Sequence, residues 1–137
     1  MNLERVVDAL HLTVRSGRER LHGEVRGGYV GDLLSDVMAN GREGDLWITR
    51  QIHQNIVAVA SLKDMAGILL VRGAEPAADT LEKAEKLSDV WAEFGRERVH
   101  LISQSSNDLN LTFVVDEGLA DGMLPRIVLV DPELSLS

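Results

Sequence analysis

The chain has 137 residues, a formal net charge of −8 and no cysteine. Its length fits one or at most two small domains, and the lack of cysteine excludes disulfides, thiol nucleophiles and zinc fingers. The negative charge argues against nucleic-acid binding, which needs clustered lysine and arginine.

The first half of the chain predicts alternating helices and strands. Leu3, Val6, Val7 and Leu10 are spaced as on one face of a helix, so we expect a helix over residues 2–10, with Asn2 as its cap. Leu12 and Val14 predict a brief strand. The elements expected next are a glycine-rich strand and loop over 23–31, a helix over 32–40, a strand over 46–49, a helix over 54–65 and a buried strand over 67–71.

The second half predicts one long helix followed by short strands. An unbroken apolar stripe predicts a helix over residues 77–94. Strands are expected over 99–103, 109–115 and 127–130, with a short helix over 118–124 and a frayed tail over 132–137. The fold class is therefore α/β, with alternating β-α units and mainly parallel pairing. Residues 66–131 read β-α-β-β-α-β, which is the ferredoxin-like order.

The segment from Gly27 to Leu87 resembles a DRTGG domain, most closely over residues 31–40, 44–49, 53–62 and 73–76. DRTGG domains are similar to the N-terminal domain of HPr kinase, also occur in some phosphate acetyltransferases, and are generally taken as regulatory. The Asp-Arg-Thr-Gly-Gly string that names the family is absent. The corresponding turn reads Gly-Asp-Leu-Trp over residues 44–47, so a function that rests on the string does not carry over.

Residues 95–127 resemble the later part of an aspartokinase ACT domain. The resemblance rests on Ile-Ser-Gln-Ser-Ser-Asn-Asp-Leu-Asn over 102–110 and on Phe-Val-Val-Asp over 113–116. It implies an ACT-like half that binds an amino acid and pairs with a second copy. The sequence departs from the family after Ile127, and the kinase catalytic domain is not part of this chain.

The two resemblances meet near Leu87–Ser88, inside one predicted helix. Because domain boundaries normally fall in flexible linkers, we interpret the chain as a chimera, designed or recombined. A natural DRTGG protein with an unusual C-terminus is the alternative. The predicted organisation is a DRTGG-like segment over 1–87 and an ACT-like segment over 88–137, packed as one compact unit.

The loop after the 46–49 strand is the best candidate for a ligand site. Thr49, Arg50, His53 and Asn55 lie between that strand and the next helix, where ligands commonly bind in α/β sheets. Free N–H groups, the helix dipole and the arginine charge favour an anion there. The alternative is that Thr49, His53 and Asn55 only cap and terminate the helix.

Three other polar segments favour structural interpretations. Gly27–Gly28 and Gly31–Asp32 lack the context of a phosphate loop and predict a turn, with Asp32 capping the next helix. The 72–76 loop would border an effector site in an ACT-like arrangement, but it lies in the other segment. One further polar run predicts a turn, or alternatively an effector or subunit contact, through Ser103, Gln104, Ser105, Ser106, Asn107 and Asp108.

We therefore expect a non-catalytic regulatory or ligand-binding domain that senses a small anionic metabolite or an amino acid, or a chimera with no evolved activity. The alternative is a small enzyme or enzyme subunit related to phosphoryl or acyl-phosphate transfer. No catalytic residue or cofactor is predicted. No metal site is predicted either, because the four histidines are not spaced as metal ligands. No apolar run approaches the roughly 20 residues of a membrane span, so we expect a cytoplasmic protein with no membrane partner, and a homodimer.

Overall fold

The computed structural model of the protein describes residues 1–18, 21–93, 100–103, 113–116 and 126–129. These residues form four helices and seven strands. In chain order they are α1 Leu3–Leu10, β1 Thr13–Val14, β2 Gly27–Val30, α2 Leu34–Asn40, β3 Asp45–Thr49, α3 Asn55–Leu62, β4 Gly67–Leu70, α4 Ala78–Glu93, β5 His100–Ser103, β6 Phe113–Asp116 and β7 Arg126–Leu129.

The predicted elements within the described ranges are confirmed, and most of their ends lie within a few residues of the predicted ones. The start of α1 illustrates how local residues fix the end of a helix. The side chain of Asn2 accepts a hydrogen bond from the Arg5 N–H at 2.9 Å, which makes it the predicted N-cap. The predicted helix over 118–124 and the predicted tail over 132–137 lie outside the described residues, as does the start of the 109–115 strand.

The strands form one mixed sheet in the order β1-β5-β4-β3-β2-β7-β6. Strands β2, β3, β4 and β5 are parallel to one another, and they form the centre of the sheet. Antiparallel pairing is confined to the flanks, where β1 pairs with β5 on one side and β7 joins β2 to β6 on the other. The predicted α/β class with mainly parallel pairing in the β-α units is thus present.

The ferredoxin-like order expected for residues 66–131 is not confirmed. In that order a strand separates the two parallel strands of the first β-α-β unit. Here β4 and β5 pair directly, with Leu69 opposite Ile102. Strand β7 lies on the far side of the sheet, next to β2, and β6 lies beyond it. The element order along the chain was visible in the sequence, but the pairing of distant strands was not.

Both faces of the central strands are buried. On one face, alternate residues such as Leu46, Ile48 and Leu69 pack with Leu3 and Val6 of α1. The other face is covered by α2, α3 and α4, whose apolar side chains form a second cluster with the strands: Val37, Trp47, Ile56, Val57, Ala60, Met65, Ile68, Leu70, Ala84 and Leu101. The protein is therefore a three-layer α/β/α arrangement in which single strands serve both cores.

Leu87–Ser88, where the DRTGG-like and ACT-like segments meet, lies in the interior of α4. Leu87 is half-buried against the second cluster and Ser88 is buried. Strands β4 and β5, one from each segment, pair along their whole lengths.

Among the described residues, no helix is both long and apolar enough to cross a bilayer.

A buried polar contact fastens the chain after β1 to β5. The Ser16 hydroxyl accepts a hydrogen bond from the Leu101 N–H at 2.8 Å, and the Ser16 carbonyl lies 3.3 Å from His100 Nδ1. Gly17 follows with a φ of +65°, and a Cβ placed on it would lie 2.4 Å from the same ring nitrogen. The ring of His100 is 1% exposed, so it cannot move aside into solvent.

Replacing Gly17 with alanine should therefore destabilise the protein through two effects. The positive φ alone costs about 1 kcal/mol for a residue with a Cβ, and the clash with the buried ring adds ~2 kcal/mol. Gly73→Ala is the matched control, because Gly73 has a φ of +69° but its Cβ would meet nothing within 4 Å. Urea unfolding of both variants measures the difference, and equal losses of unfolding free energy would refute the close-packing account.

Candidate functional site

The carboxyl ends of parallel strands β2, β3 and β4 bring three loops to one edge of the sheet. The loops cover residues 31–33, 50–54 and 71–77. Strand order increases steadily from β2 to β5, and α2, α3 and α4 all contribute to the same core cluster. The three loops therefore lead to the same face, and this stretch lacks the reversal of strand order that opens a crevice in doubly wound sheets. A ligand here would bind at a shallow, solvent-facing edge.

Asp32 holds the first loop to the second. One of its carboxylate oxygens accepts the Thr49 hydroxyl at 2.7 Å and the Arg50 backbone N–H at 2.9 Å. The Gln51 side-chain amide donates to the Asp32 carbonyl at 3.1 Å. Two hydrogen bonds lower the pKa of Asp32 below its usual 3.8. The one from the Arg50 N–H has the larger effect and the one from the Thr49 hydroxyl the next.

The second loop is also held on its other side, by the start of α4. The Ile52 carbonyl accepts the Thr80 hydroxyl at 2.6 Å and the Ala77 N–H at 3.2 Å. Thr80 is buried, so this contact is protected from water. The 50–54 loop is thus fixed by hydrogen bonds to residues before β3 and after β4.

The four residues predicted to hold an anion occupy two different environments. Arg50, His53 and Asn55 are exposed, whereas Thr49 is 2% exposed and lies beneath Asp32. Asn55 is the first residue of α3, whose N-cap is Gln54, without a side-chain capping bond. The alternative in which His53 and Asn55 cap α3 is therefore not observed. The Thr49 hydroxyl accepts the Gln51 N–H at 3.2 Å, which is a local contact before the helix.

The predicted role of Asp32 as a helix cap is wrong. We expected it to cap α2, but the N-cap of that helix is Leu33, without a side-chain capping bond. The carboxylate instead meets a hydroxyl and an N–H at the end of the neighbouring strand. The sequence does hold a signal for this contact, since an aspartate follows one strand by two residues and a threonine ends another. The signal can be interpreted only once β2 and β3 are known to be neighbours.

The remaining predicted segments are placed in part. Ser103 ends β5, opposite Thr13 and Leu70, while residues 104–108 lie outside the described chain. In the 72–76 loop, Glu75 forms an ion pair with Arg15 at 2.8 Å. Within the described ranges, no group of three or more histidine or acidic side chains is arranged to hold a metal ion.

Comparisons with protein-family models, curated proteins and solved structures found no match to this chain. The resemblances to DRTGG and ACT domains therefore stay predictions from the residues that carry them.

The lowered pKa of Asp32 predicts an acid-sensitive contribution to stability. The ionised carboxylate is favoured in the folded state, so its contribution is present above the unfolded pKa, near 3.8, and is lost as the pH falls through the lower folded value. Asp32→Asn should be less stable than the parent at neutral pH by under about 1 kcal/mol, since the side chain is largely exposed. Urea unfolding of both proteins across the acid range measures the difference in their unfolding free energies. A difference that did not narrow as the pH falls would contradict the prediction.

Proposed function

We propose that the protein is a non-catalytic, cytoplasmic regulatory domain that binds a small anionic metabolite at the carboxyl edge of β3. Arg50 supplies positive charge and hydrogen-bond donors, and the His53 ring and the Asn55 amide add further donors beside it. The support is the fixed 50–54 loop, which presents the exposed Arg50 and His53 from a backbone held on both sides, with the exposed Asn55 directly after it at the start of α3. The DRTGG resemblance, which covers this loop, favours a regulatory role over a catalytic one.

A shallow site of this kind would bind mainly through charge. Arg50 is suited to oxyanions because its planar guanidinium can donate two parallel hydrogen bonds to a carboxylate or phosphate. The start of α3 adds the positive end of a helix dipole beside it. Exposed charge pairs are screened by salt, so binding should weaken as ionic strength rises.

Thermal unfolding with added inorganic phosphate, acetyl phosphate, nucleotides and amino acids tests the proposal. A ligand that binds only the folded state raises the Tm, and we expect a rise of about ten degrees with at least one phosphate compound at about 100-fold excess over its Kd. Arg50→Ala and His53→Ala should abolish the rise. Arg26→Ala and His22→Ala are matched controls, since both residues are exposed and precede β2, at the other edge of the sheet.

Each other outcome of this screen points elsewhere. A rise with lysine or threonine but with no phosphate compound would favour the amino-acid effector that the ACT resemblance implies. Equal losses in the Arg26 and Arg50 variants would show non-specific anion binding and refute the site. No rise with any compound would favour a chimera with no evolved activity.

We also propose a homodimer, formed through the outer edge of the sheet. In the described part of the chain β6 is the last strand on its side, and an edge strand can pair with another chain through its backbone groups. Sedimentation equilibrium should show a dimer at micromolar concentration. A Lys or Pro substitution at Val114, within β6, should shift the population toward monomer, and a monomer at every concentration of the parent would contradict the proposal.

A further inference from the structure

Asp32 occupies the hydrogen-bond donors that an anion at this edge would use. The Thr49 hydroxyl, in the predicted anion site, and the Arg50 backbone N–H converge on a single carboxylate oxygen of the chain itself, at 2.7 and 2.9 Å. Thr49 is 2% exposed. A ligand oxygen can reach its hydroxyl only if the Asp32 side chain leaves.

The contact is built so that the carboxylate can leave without disturbing the sheet. Gly31 is held in place, because its N–H donates to the Ile48 carbonyl at 3.1 Å and its carbonyl accepts the Trp47 indole N–H at 2.8 Å. Asp32 and Leu33, which follow, are both exposed. Rotation of the Asp32 side chain therefore frees both donors while the backbone at Gly31 stays paired.

We infer that Asp32 is an internal competitor of the ligand, a closed contact that a bound oxyanion must displace from Thr49 and Arg50. The inference rests on the proposed function, since it concerns the same edge and the same anion. A carboxylate and a phosphate oxygen make the same charge-assisted hydrogen bonds to these donors. The charge of Asp32 also repels a second anion held nearby by Arg50.

Removing the competitor should strengthen anion binding. In Asp32→Ala the two donors are free and the repelling charge is absent, so we expect the Kd for inorganic phosphate to fall about tenfold. Asp32→Asn keeps an acceptor for the donors and removes only the charge, so its gain should be smaller. Asp36→Ala is the matched control, because Asp36 is an exposed acid on α2 that accepts a hydrogen bond from the Asn40 side chain.

The donor side of the contact supplies a second variant. Thr49→Val keeps the volume of the side chain and removes the hydroxyl, so in the Asp32→Ala background it should cancel most of the gain. A loss of that gain would identify Thr49 as the group that the ligand reaches. An undiminished gain in the double variant would mean that only charge repulsion was relieved, and would overturn the displacement mechanism.

Calorimetric titration of the full chain with inorganic phosphate at constant ionic strength separates the two proposals, with circular dichroism confirming that each variant is folded. Parent binding that is lost in Arg50→Ala but is not strengthened in Asp32→Ala and Asp32→Asn would overturn this inference and leave the proposed function standing. Binding by neither the parent nor any Asp32 variant would overturn both. If Asp32→Ala does not fold, Asp32→Gly, which also frees both donors, replaces it in the same comparison with and without Thr49→Val.

Discussion

The fold depends on the burial of β3 and β4 on both faces. Successive residues of these strands alternate between two cores, with Leu46 and Ile48 facing α1 and Trp47 facing the three helices of the other layer. Each such apolar side chain contributes about 1.5–3 kcal/mol when fully removed from water. A sheet of this kind is stable only when both layers are in place, so the N-terminal helix is as necessary to the core as the helices between the strands.

Two-sided burial also determines where function can lie. Side chains along β3 and β4 are committed to the cores, and polar groups collect where the strands end. The steady strand order from β2 to β5 makes the loops at that edge run to one face, so they form a rim rather than a cleft. Such a rim can position charges through hydrogen bonds between loops, as Asp32 and Ile52 do for residues 50–54, but it excludes little water. The proposed recognition of an anion there would therefore depend on charge and donor geometry.

Local patterns in the sequence were sufficient for the elements and insufficient for their long-range pairing. The apolar stripe of α4 and the continuous apolar run of β4 follow from side-chain periodicity, which is a property of neighbouring residues. The position of β7 beside β2 depends on contacts between residues about 100 positions apart, Gly28 and Ile127. Exposed Arg50 and His53 could be nominated from the loop alone. The burial of Thr49 could not, because it requires the Asp32 loop of another strand.

Asp32 shows how tertiary structure overrides a local rule. An aspartate before a helix ordinarily caps it, since the carboxylate accepts N–H groups of the first turn. Here a hydroxyl and an N–H at the end of the adjacent parallel strand are the partners, and the lowered pKa shows that they favour the ionised form. This arrangement stabilises the loop when no ligand is bound. If an anion binds at this edge as proposed, the contact would lower its apparent affinity to the intrinsic affinity multiplied by the fraction of molecules in which the contact is open. Under that proposal, the same hydrogen bonds that order the edge would also set the anion concentration at which the site fills.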